Sequence, residues 1–250
     1  SITELHKKFL PLTKYLETKT KLKVEFFSVT NYSSVVEALS QGKVDMAWLG
    51  GLTYVQARIR SNGNVEPVIQ RVKDSLFTSV FITHVDNEIK ILEDLKNKSF
   101  SFGSPSSTSG HLMPRFFLEK QNINPEEYFR EIGYSGAHDA TIFSVLSKKV
   151  SAGALNSLVW EKFVSENPKK AKKLSVFFIT PEYYDYNWTI RKDLKDEIKK
   201  SLLNAFLTLD YNNLDHKKIL DLQRAKKYIK TNDSNYSNIY TAGKKTGLIK

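Results

Sequence analysis

The densest group of small polar residues in the chain is SFGSPSSTSGHL at residues 101–112, which holds six serines or threonines and two glycines. An apolar helical pattern follows, so Ser107, Thr108 and Ser109 are predicted to open a helix. The first N–H groups of a helix lack internal partners and carry the positive end of its dipole. Hydroxyls beside them add neutral donors, and Gly110 lets a ligand approach the backbone. The segment therefore predicts a compact site for a tetrahedral oxyanion.

Two simpler interpretations of this segment explain less of its sequence. An ordinary helix cap explains one serine or threonine, but not four consecutive small polar residues followed by glycine. A phosphate-binding loop for nucleotides needs the order G-x-x-x-x-G-K-[ST], which this segment lacks.

A second helix start, YSGAHDATIFSVL, places His138 and Asp139 in its first turn. A neutral His138 can donate to an oxyanion, whereas Asp139 can accept only from an oxygen that still carries a proton. The pair therefore favours a ligand with a P–OH group and disfavours sulfate. A surface histidine with a dipole-compensating aspartate is the simpler alternative. A Ser-His-Asp triad is disfavoured, because adjacent helical side chains point in different directions and no G-x-S-x-G motif occurs.

Strand and helix patterns alternate along the chain, which predicts an α/β protein with mostly parallel sheets. The first helix, with Ser1 or Thr3 as its cap, is followed by a predicted strand at 23–29, and the last predicted helix covers 193–209. TSVFITHVD and TPEYYDYNW look like crossings between two lobes. The predicted division is 1–82 for the first lobe, 83–185 for the second and 186–250 for the return to the first. A ligand is expected in the cleft between the lobes.

Composition excludes several classes of protein. The chain has no cysteine, so disulfides and thiolate chemistry are excluded, and its apolar runs are too short to span a membrane. The formal net charge of +11 comes mostly from lysines on predicted turns and polar helix faces. This pattern favours a solvated surface over nucleic-acid binding, with polyanion binding as an alternative. No signal peptide opens the chain, so we expect any export signal to have been removed.

The order and spacing of three motifs resemble the periplasmic phosphonate-binding proteins of ABC importers and their phosphite-binding relatives. The motifs are NYSSVVEALSQGKVDMAWLGGLTYVQA, IKILEDLKNKSFSFGSPSSTSGHLMPRFFLEK and YSGAHDATIFSVLSKKVSAGAL. The resemblance implies a type II periplasmic binding protein, with two lobes that close about two crossover strands. It implies a non-catalytic monomer without metal or cofactor, which delivers a small phosphorus oxyanion to a membrane permease. An enzyme on the same scaffold, a phosphoester hydrolase or a pyrimidine-synthase-like protein, is the alternative.

The resemblance also assigns site residues. Ser107, Thr108 and Ser109 match the family's oxyanion contacts, His138 and Asp139 match its His-Asp pair, and Tyr54 matches a tyrosine that caps the ligand from the first lobe. Family members also carry a strand before the first helix, and we expect those residues to have been omitted here.

Departures from the family pattern bear on the ligand. Phe77 replaces a tyrosine in the crossing sequence Tyr-x-Ser, and Asn156 stands where amine-binding members carry an acid, although Asp185 remains. Trp48, Phe77, Tyr54 and Trp188 are predicted to wall a small apolar pocket, with core packing as the alternative for the tryptophans. A ligand without an amino group is therefore expected, phosphite first and methylphosphonate second, because a buried amine would lack a counter-charge.

Overall fold

The computed structural model describes residues 2–29 and 31–249, which form two compact units. Unit 1 runs from the start of the described chain to Leu76 and again from Tyr184 to Ser237. Unit 2 contains Phe77–Tyr183 and the residues from Asn238 onward. The predicted cap Ser1 lies outside the described residues.

The helices and strands alternate over most of the chain. The helices are α1 (Ile2–Thr20), α2 (Tyr32–Ser40), α3 (Gly51–Arg60), α4 (Met113–Lys120), α5 (Pro125–Tyr128), α6 (His138–Leu146), α7 (Ser157–Glu166), α8 (Pro168–Ala171), α9 (Asp196–Leu207), α10 (Leu214–Leu222) and α11 (Ser237–Lys245). The strands are β1 (Met46–Leu49), β2 (Val65–Arg71), β3 (Ser79–His84), β4 (Ser99–Phe102), β5 (Glu131–Tyr134), β6 (Ala152–Asn156), β7 (Leu174–Ile179), β8 (Asn187–Arg191) and β9 (Tyr228–Lys230). A π-helical turn, Thr108–Leu112, precedes α4.

The sheet of unit 1 has the order β1-β8-β2-β9, and all of its described ladders are antiparallel. The prediction of a mostly parallel sheet is therefore wrong for this unit. Strands β1 and β2, which α3 joins, are not neighbours in this sheet. Strand β8, which arrives from the second crossing, instead pairs with both β1 and β2 and runs opposite to each.

The sheet of unit 2 is mixed, in the order β5-β4-β6-β3-β7. Strand β4 runs parallel to β5 and β6, whereas β3 is antiparallel to β6 and β7. The prediction of parallel strands thus holds only for β5, β4 and β6, the part of the sheet in which helices follow β4 and β5. Alternating side chains bury both faces: Phe81 packs with Phe100 on one side, and Val80 packs with Ile142 on the other.

The predicted strand at 23–29 is wrong, since among the described residues no strand pairs with it. Side-chain contacts with α1 hold this segment instead. The ring of Phe26 stacks on Phe9 at 5.7 Å, and the N–H of Val24 donates to the Glu17 carboxylate at 3.0 Å.

The observed units differ from the predicted lobes at two places. Strand β3 pairs with β6 from its first residue, so the first crossing precedes Phe77 rather than following residue 82. The segment after Ser237 belongs to unit 2, where the Lys245 ammonium lies over the Phe116 ring at 6.0 Å. Helices α10 and α11 and strand β9 lie beyond the last element that the sequence predicted.

Close packing in the centre of the unit 2 sheet gives a test of the fold. A Cβ on Gly153 in β6 would lie 2.6 Å from the Thr141 methyl group and 2.9 Å from the backbone oxygen of Ser101. We expect Gly153→Ala to lower the free energy of unfolding by about 1–3 kcal/mol, measured by urea denaturation. Gly133→Ala in β5 is the control, because its Cβ would approach only one atom, at 4.0 Å. Equal effects of the two substitutions would contradict this packing.

Candidate anion-binding site

The serine-rich turn of unit 2 joins the end of β4 to the π-helical turn. Ser107 is its N-cap, and its side-chain oxygen accepts from the N–H of Gly110 at 3.0 Å. That bond uses a lone pair and leaves the hydroxyl proton of Ser107 to be donated elsewhere. Across the turn, the N–H of Gly103 donates to the carbonyl of Gly110 at 2.7 Å. The predicted helix start is thus confirmed, although its first turn is π-helical rather than α-helical.

Ser109 presents a buried donor to this turn. Its residue is 1% exposed, and among the described residues its hydroxyl has no hydrogen-bond partner. A buried hydroxyl without a partner costs free energy, which makes such groups rare in folded proteins. Thr108 is buried beside it.

The imidazole of His138 presents a second buried donor, at the start of α6. The N–H of Asn156 donates to its Nδ1 at 3.3 Å, which makes Nδ1 the acceptor and puts the ring proton on Nε2. Within the described chain, Nε2 is buried and has no partner. Burial lowers the pKa of His138 to about 4, so the ring is neutral at pH 7.

The two helix starts lie side by side within unit 2. A Cβ on Gly110 would lie 3.0 Å from Cε1 of His138 and 3.2 Å from Cα of Gly103. Because Cε1 is bonded to Nε2, the free donor of His138 also lies close to the π-helical turn. Helix α6 begins without a side-chain cap from Ala137, and the first N–H groups of a helix have no partner within the helix. Donors of two helices therefore converge on one place.

The other predicted contacts of unit 2 lie close by, in different roles. Asp139 is exposed, and its carboxylate accepts from the N–H of Ala140 at 2.9 Å rather than orienting His138. Asn156 caps α7 through its side-chain oxygen. Phe77 is 2% exposed, with its ring 6.0 Å from that of Tyr183. In the described residues, no group of three or more histidine or acidic side chains could hold a metal ion.

The predicted contacts of unit 1 have protein partners of their own. The hydroxyl of Tyr54 donates to the Asp233 carboxylate, and burial raises the pKa of Tyr54, so the phenol keeps its proton. To reach a ligand oxygen, that hydroxyl would have to leave Asp233. Trp48 lies 5.4 Å from Trp188 and 5.0 Å from the Arg71 guanidinium. Roles for Tyr54, Trp48 and Trp188 in ligand binding stay predictions.

Three further residues matter that the sequence did not assign to the site. Asp185, which the sequence left as a possible partner for a ligand amine, accepts from the N–H of Gly51 at 3.0 Å and so caps α3. Ser79 and Tyr183 bond to each other at 2.6 Å behind the serine-rich turn. The sequence signal for Ser79 is the serine of the family's crossing sequence Tyr-x-Ser, and that for Tyr183 is only a polar residue on the second crossing segment.

Comparison with known proteins defines the class of this two-unit α/β chain as a periplasmic binding protein. The model of the family described as "ABC transporter, phosphonate, periplasmic substrate-binding protein" matches residues 1–236. The probable ABC transporter phosphite binding protein PhnD1 of Prochlorococcus marinus is 38% identical, over 98% of this chain and 86% of that protein. The structure of PhnD1 in complex with methylphosphonate superposes with a TM-score of 0.93, covering 100% of this chain and 95% of that one.

Two more distant proteins agree. A binding protein component of an ABC phosphonate transporter from Pseudomonas aeruginosa is 26% identical, with a TM-score of 0.84 over 97% of this chain and 82% of its own. The phosphonates-binding periplasmic protein of Escherichia coli is 29% identical, over 81% of this chain and 61% of that protein.

The chain belongs to the family of periplasmic substrate-binding proteins of phosphonate ABC transporters. It is therefore the substrate-binding component of such a transporter, and its partner is the transporter's membrane permease. The relatives are named as binding proteins rather than enzymes, which confirms the non-catalytic prediction. No described helix is long and apolar enough to cross a membrane.

The neutral histidines of unit 2 predict how stability responds to acid. Burial lowers the pKa of both His138 and His111 to about 4, whereas an unfolded histidine titrates near 6.5. Below pH 6.5 the unfolded chain binds protons that the folded chain does not, so stability falls as pH falls from 6.5 to 4. The loss is on the order of 2 kcal/mol per histidine by pH 5. Urea denaturation of wild type and His138→Gln checks this, because the variant has the shallower dependence on pH. An NMR titration midpoint of His138 near 6.5 in the folded protein would contradict it.

Proposed function

We propose that the converging helix starts of unit 2 bind the phosphorus oxyanion that this protein delivers to its permease. The observation that carries the proposal is a pair of buried donors, the Ser109 hydroxyl and Nε2 of His138, which have no acceptor among the described residues. An oxyanion supplies acceptors for both. The π-helical turn and α6 direct the positive ends of two helices toward the same place.

The donors at this site are neutral. Hydroxyls, backbone N–H groups and an uncharged imidazole can hold an anion without a salt bridge. Charge-assisted hydrogen bonds of this kind contribute roughly 1.5–3 kcal/mol each. Several of them give firm binding, and none leaves a buried cation behind when the ligand departs. Such reversibility suits a protein that must pass its ligand to a permease.

Phosphite is the preferred ligand in this proposal, followed by methylphosphonate. Asp139 is the one carboxylate in the first turn of α6, and it can accept from a P–OH group. Phe77 has a bare ring where the tyrosine of the family pattern would offer a hydroxyl to a fourth phosphate oxygen. The relative from Prochlorococcus marinus is named a phosphite binding protein, and its structure holds methylphosphonate, which supports this class of ligand.

A ligand with an amino group is disfavoured. Asn156 carries no charge, and its side-chain oxygen accepts from the N–H groups of Leu158 and Val159. Asp185 belongs to unit 1, where it caps α3. An ammonium group beside Asn156 would therefore lose its hydration without gaining a carboxylate there. That the protein acts as a monomer stays a prediction.

Substitution of Ser109, whose hydroxyl has no partner among the described residues, tests ligand affinity separately from the stability of the protein. We expect Ser109→Ala to weaken phosphite binding by about 10- to 100-fold, as the loss of one charge-assisted hydrogen bond implies. Stability without ligand is unchanged or higher, because the hydroxyl that is removed has no protein partner to lose. Calorimetric titration and urea denaturation measure the two quantities.

The control for this variant is Ser106→Ala, in the same turn but only half-buried, and it leaves both quantities unchanged. An affinity of Ser109→Ala equal to wild type would contradict the proposed site.

A panel of ligands tests the chemical class. In thermal-shift measurements we expect stabilisation in the order phosphite, methylphosphonate, then phosphate, with no shift for sulfate and little for 2-aminoethylphosphonate. A ligand that binds only the folded state stabilises by RT ln(1 + [L]/Kd), so the order of shifts reports the order of affinities. A larger shift with 2-aminoethylphosphonate than with phosphite would refute the ligand assignment but keep the family function.

A further inference from the structure

The carbonyl groups of the serine-rich turn follow a π-helical register that breaks off at Ser109. The N–H of Leu112 donates to the carbonyl of Ser107 at 3.0 Å, and that of Met113 donates to the carbonyl of Thr108. The next bond of the series would join the N–H of residue 114 to the carbonyl of Ser109. Residue 114 is proline, which has no N–H.

The hydroxyl of Ser79 takes the place of the missing donor. Its Oγ lies 2.7 Å from the carbonyl oxygen of Ser109, which can only accept, so Ser79 donates its single proton there. The hydroxyl of Tyr183 lies 2.6 Å from the same Oγ. Because Ser79 has no second proton, Tyr183 is the donor in that bond. All three residues are buried, with exposures of 0% for Ser79, 1% for Ser109 and 4% for Tyr183.

The backbone holds the two hydroxyls in place. Ser79 opens β3 and is paired with Asn156 of β6. Tyr183 is bonded to Phe77 in both directions, at 2.9 Å from the N–H of Phe77 and 3.0 Å from the N–H of Tyr183. The hydrogen-bonded chain from Tyr183 through Ser79 to the carbonyl of Ser109 thus links three separate segments of unit 2.

We propose that Ser79 and Tyr183 are positioning residues for anion binding, which hold the serine-rich turn in its π-helical form. The proposal rests on the function proposed above. In an α-helical register, the N–H of Met113 would move to the carbonyl of Ser109. The hydroxyl of Ser79 already donates to that carbonyl, so an α-helical bond to the same oxygen would add less stability. The bond from Ser79 therefore favours the wider turn. A change of register rotates the peptides at Thr108 and Ser109 and redirects their donors away from Nε2 of His138.

The chain offers a closely matched control on the same strand. Thr83 is also fully buried, its hydroxyl donates to the carbonyl of Ser151 at 2.7 Å, and it accepts from the Asn87 side-chain amide at 3.1 Å. Ser79→Ala and Thr83→Val therefore each remove one buried hydroxyl with the same pattern of bonds. Only the first hydroxyl reaches the serine-rich turn.

We expect both substitutions to lower the melting temperature, and only Ser79→Ala to weaken phosphite binding, by about tenfold or more in calorimetric titration. Thr83→Val stays within about twofold of wild type. Tyr183→Phe keeps the ring and removes one donor, so it weakens binding by about threefold and serves if Ser79→Ala does not fold. Wild-type affinity in both Ser79→Ala and Tyr183→Phe, or equal losses in Ser79→Ala and Thr83→Val, would overturn the proposal.

A rescue experiment tests the role of Pro114. Pro114→Ala supplies an N–H at the position where the π-helical series breaks, so it recovers part of the affinity that Ser79→Ala loses. A double variant that binds no more tightly than Ser79→Ala would count against the proposed replacement of the missing N–H.

The proposed function and this inference can fail separately. If Ser109→Ala weakens phosphite binding and Ser79→Ala does not, the site stands and the positioning role falls. If wild type binds none of the tested phosphorus oxyanions, the proposed function itself is wrong.

Discussion

A hydrogen-bond donor buried without an acceptor is the constraint on which this site depends. Leaving one such group unpaired costs about 1–3 kcal/mol. Among the described residues of unit 2, Ser109 and His138 each carry such a donor, at adjoining helix starts. A fold selected for stability alone would pair or remove them. Their retention makes sense if a bound anion accepts hydrogen bonds from both. Binding then removes the free-energy cost of the two unpaired donors, and this gain adds to the affinity.

Local features of the sequence bring these donors together. Gly103 and Gly110 have no side chain, so the end of β4 and the start of the helical turn approach to hydrogen-bond distance. The peptide N–H of Asn156 sets the tautomer of His138 and directs its proton away from β6. Two glycines and one strand-end peptide thus shape the serine-rich turn that we propose as the anion site, and the donors they bring together are uncharged.

The features that could be predicted from the sequence are the local ones. Helix caps depend on residues within one turn, so the helix starts at Ser107 and His138 could be located from residue types and spacing. The neighbours of a strand depend on residues far away, and for this reason the insertion of β8 between β1 and β2 was not predicted. The bond between Ser79 and Tyr183 spans 104 positions of the chain. Phe77 lacks the hydroxyl that the family's tyrosine carries on the first crossing segment, as the sequence indicates. The second crossing segment, however, places the hydroxyl of Tyr183 next to Ser79.

The selectivity of such a site among oxyanions depends on whether the bound ligand still carries an O–H proton. Hydroxyls and a neutral imidazole donate to any oxyanion of suitable size, so they do not separate phosphite from sulfate. In the proposed site Asp139 would separate them, because the carboxylate and the anion repel each other unless the ligand supplies a proton between them. Sulfate carries no proton near neutral pH, whereas monoprotonated phosphite and methylphosphonate do. A lysine or arginine beside the anion would cancel this repulsion, and the two donors of the proposed site, on Ser109 and His138, are neutral. The basic residues of the chain are mostly exposed lysines, which suits a site that we propose to discriminate by the proton of its ligand.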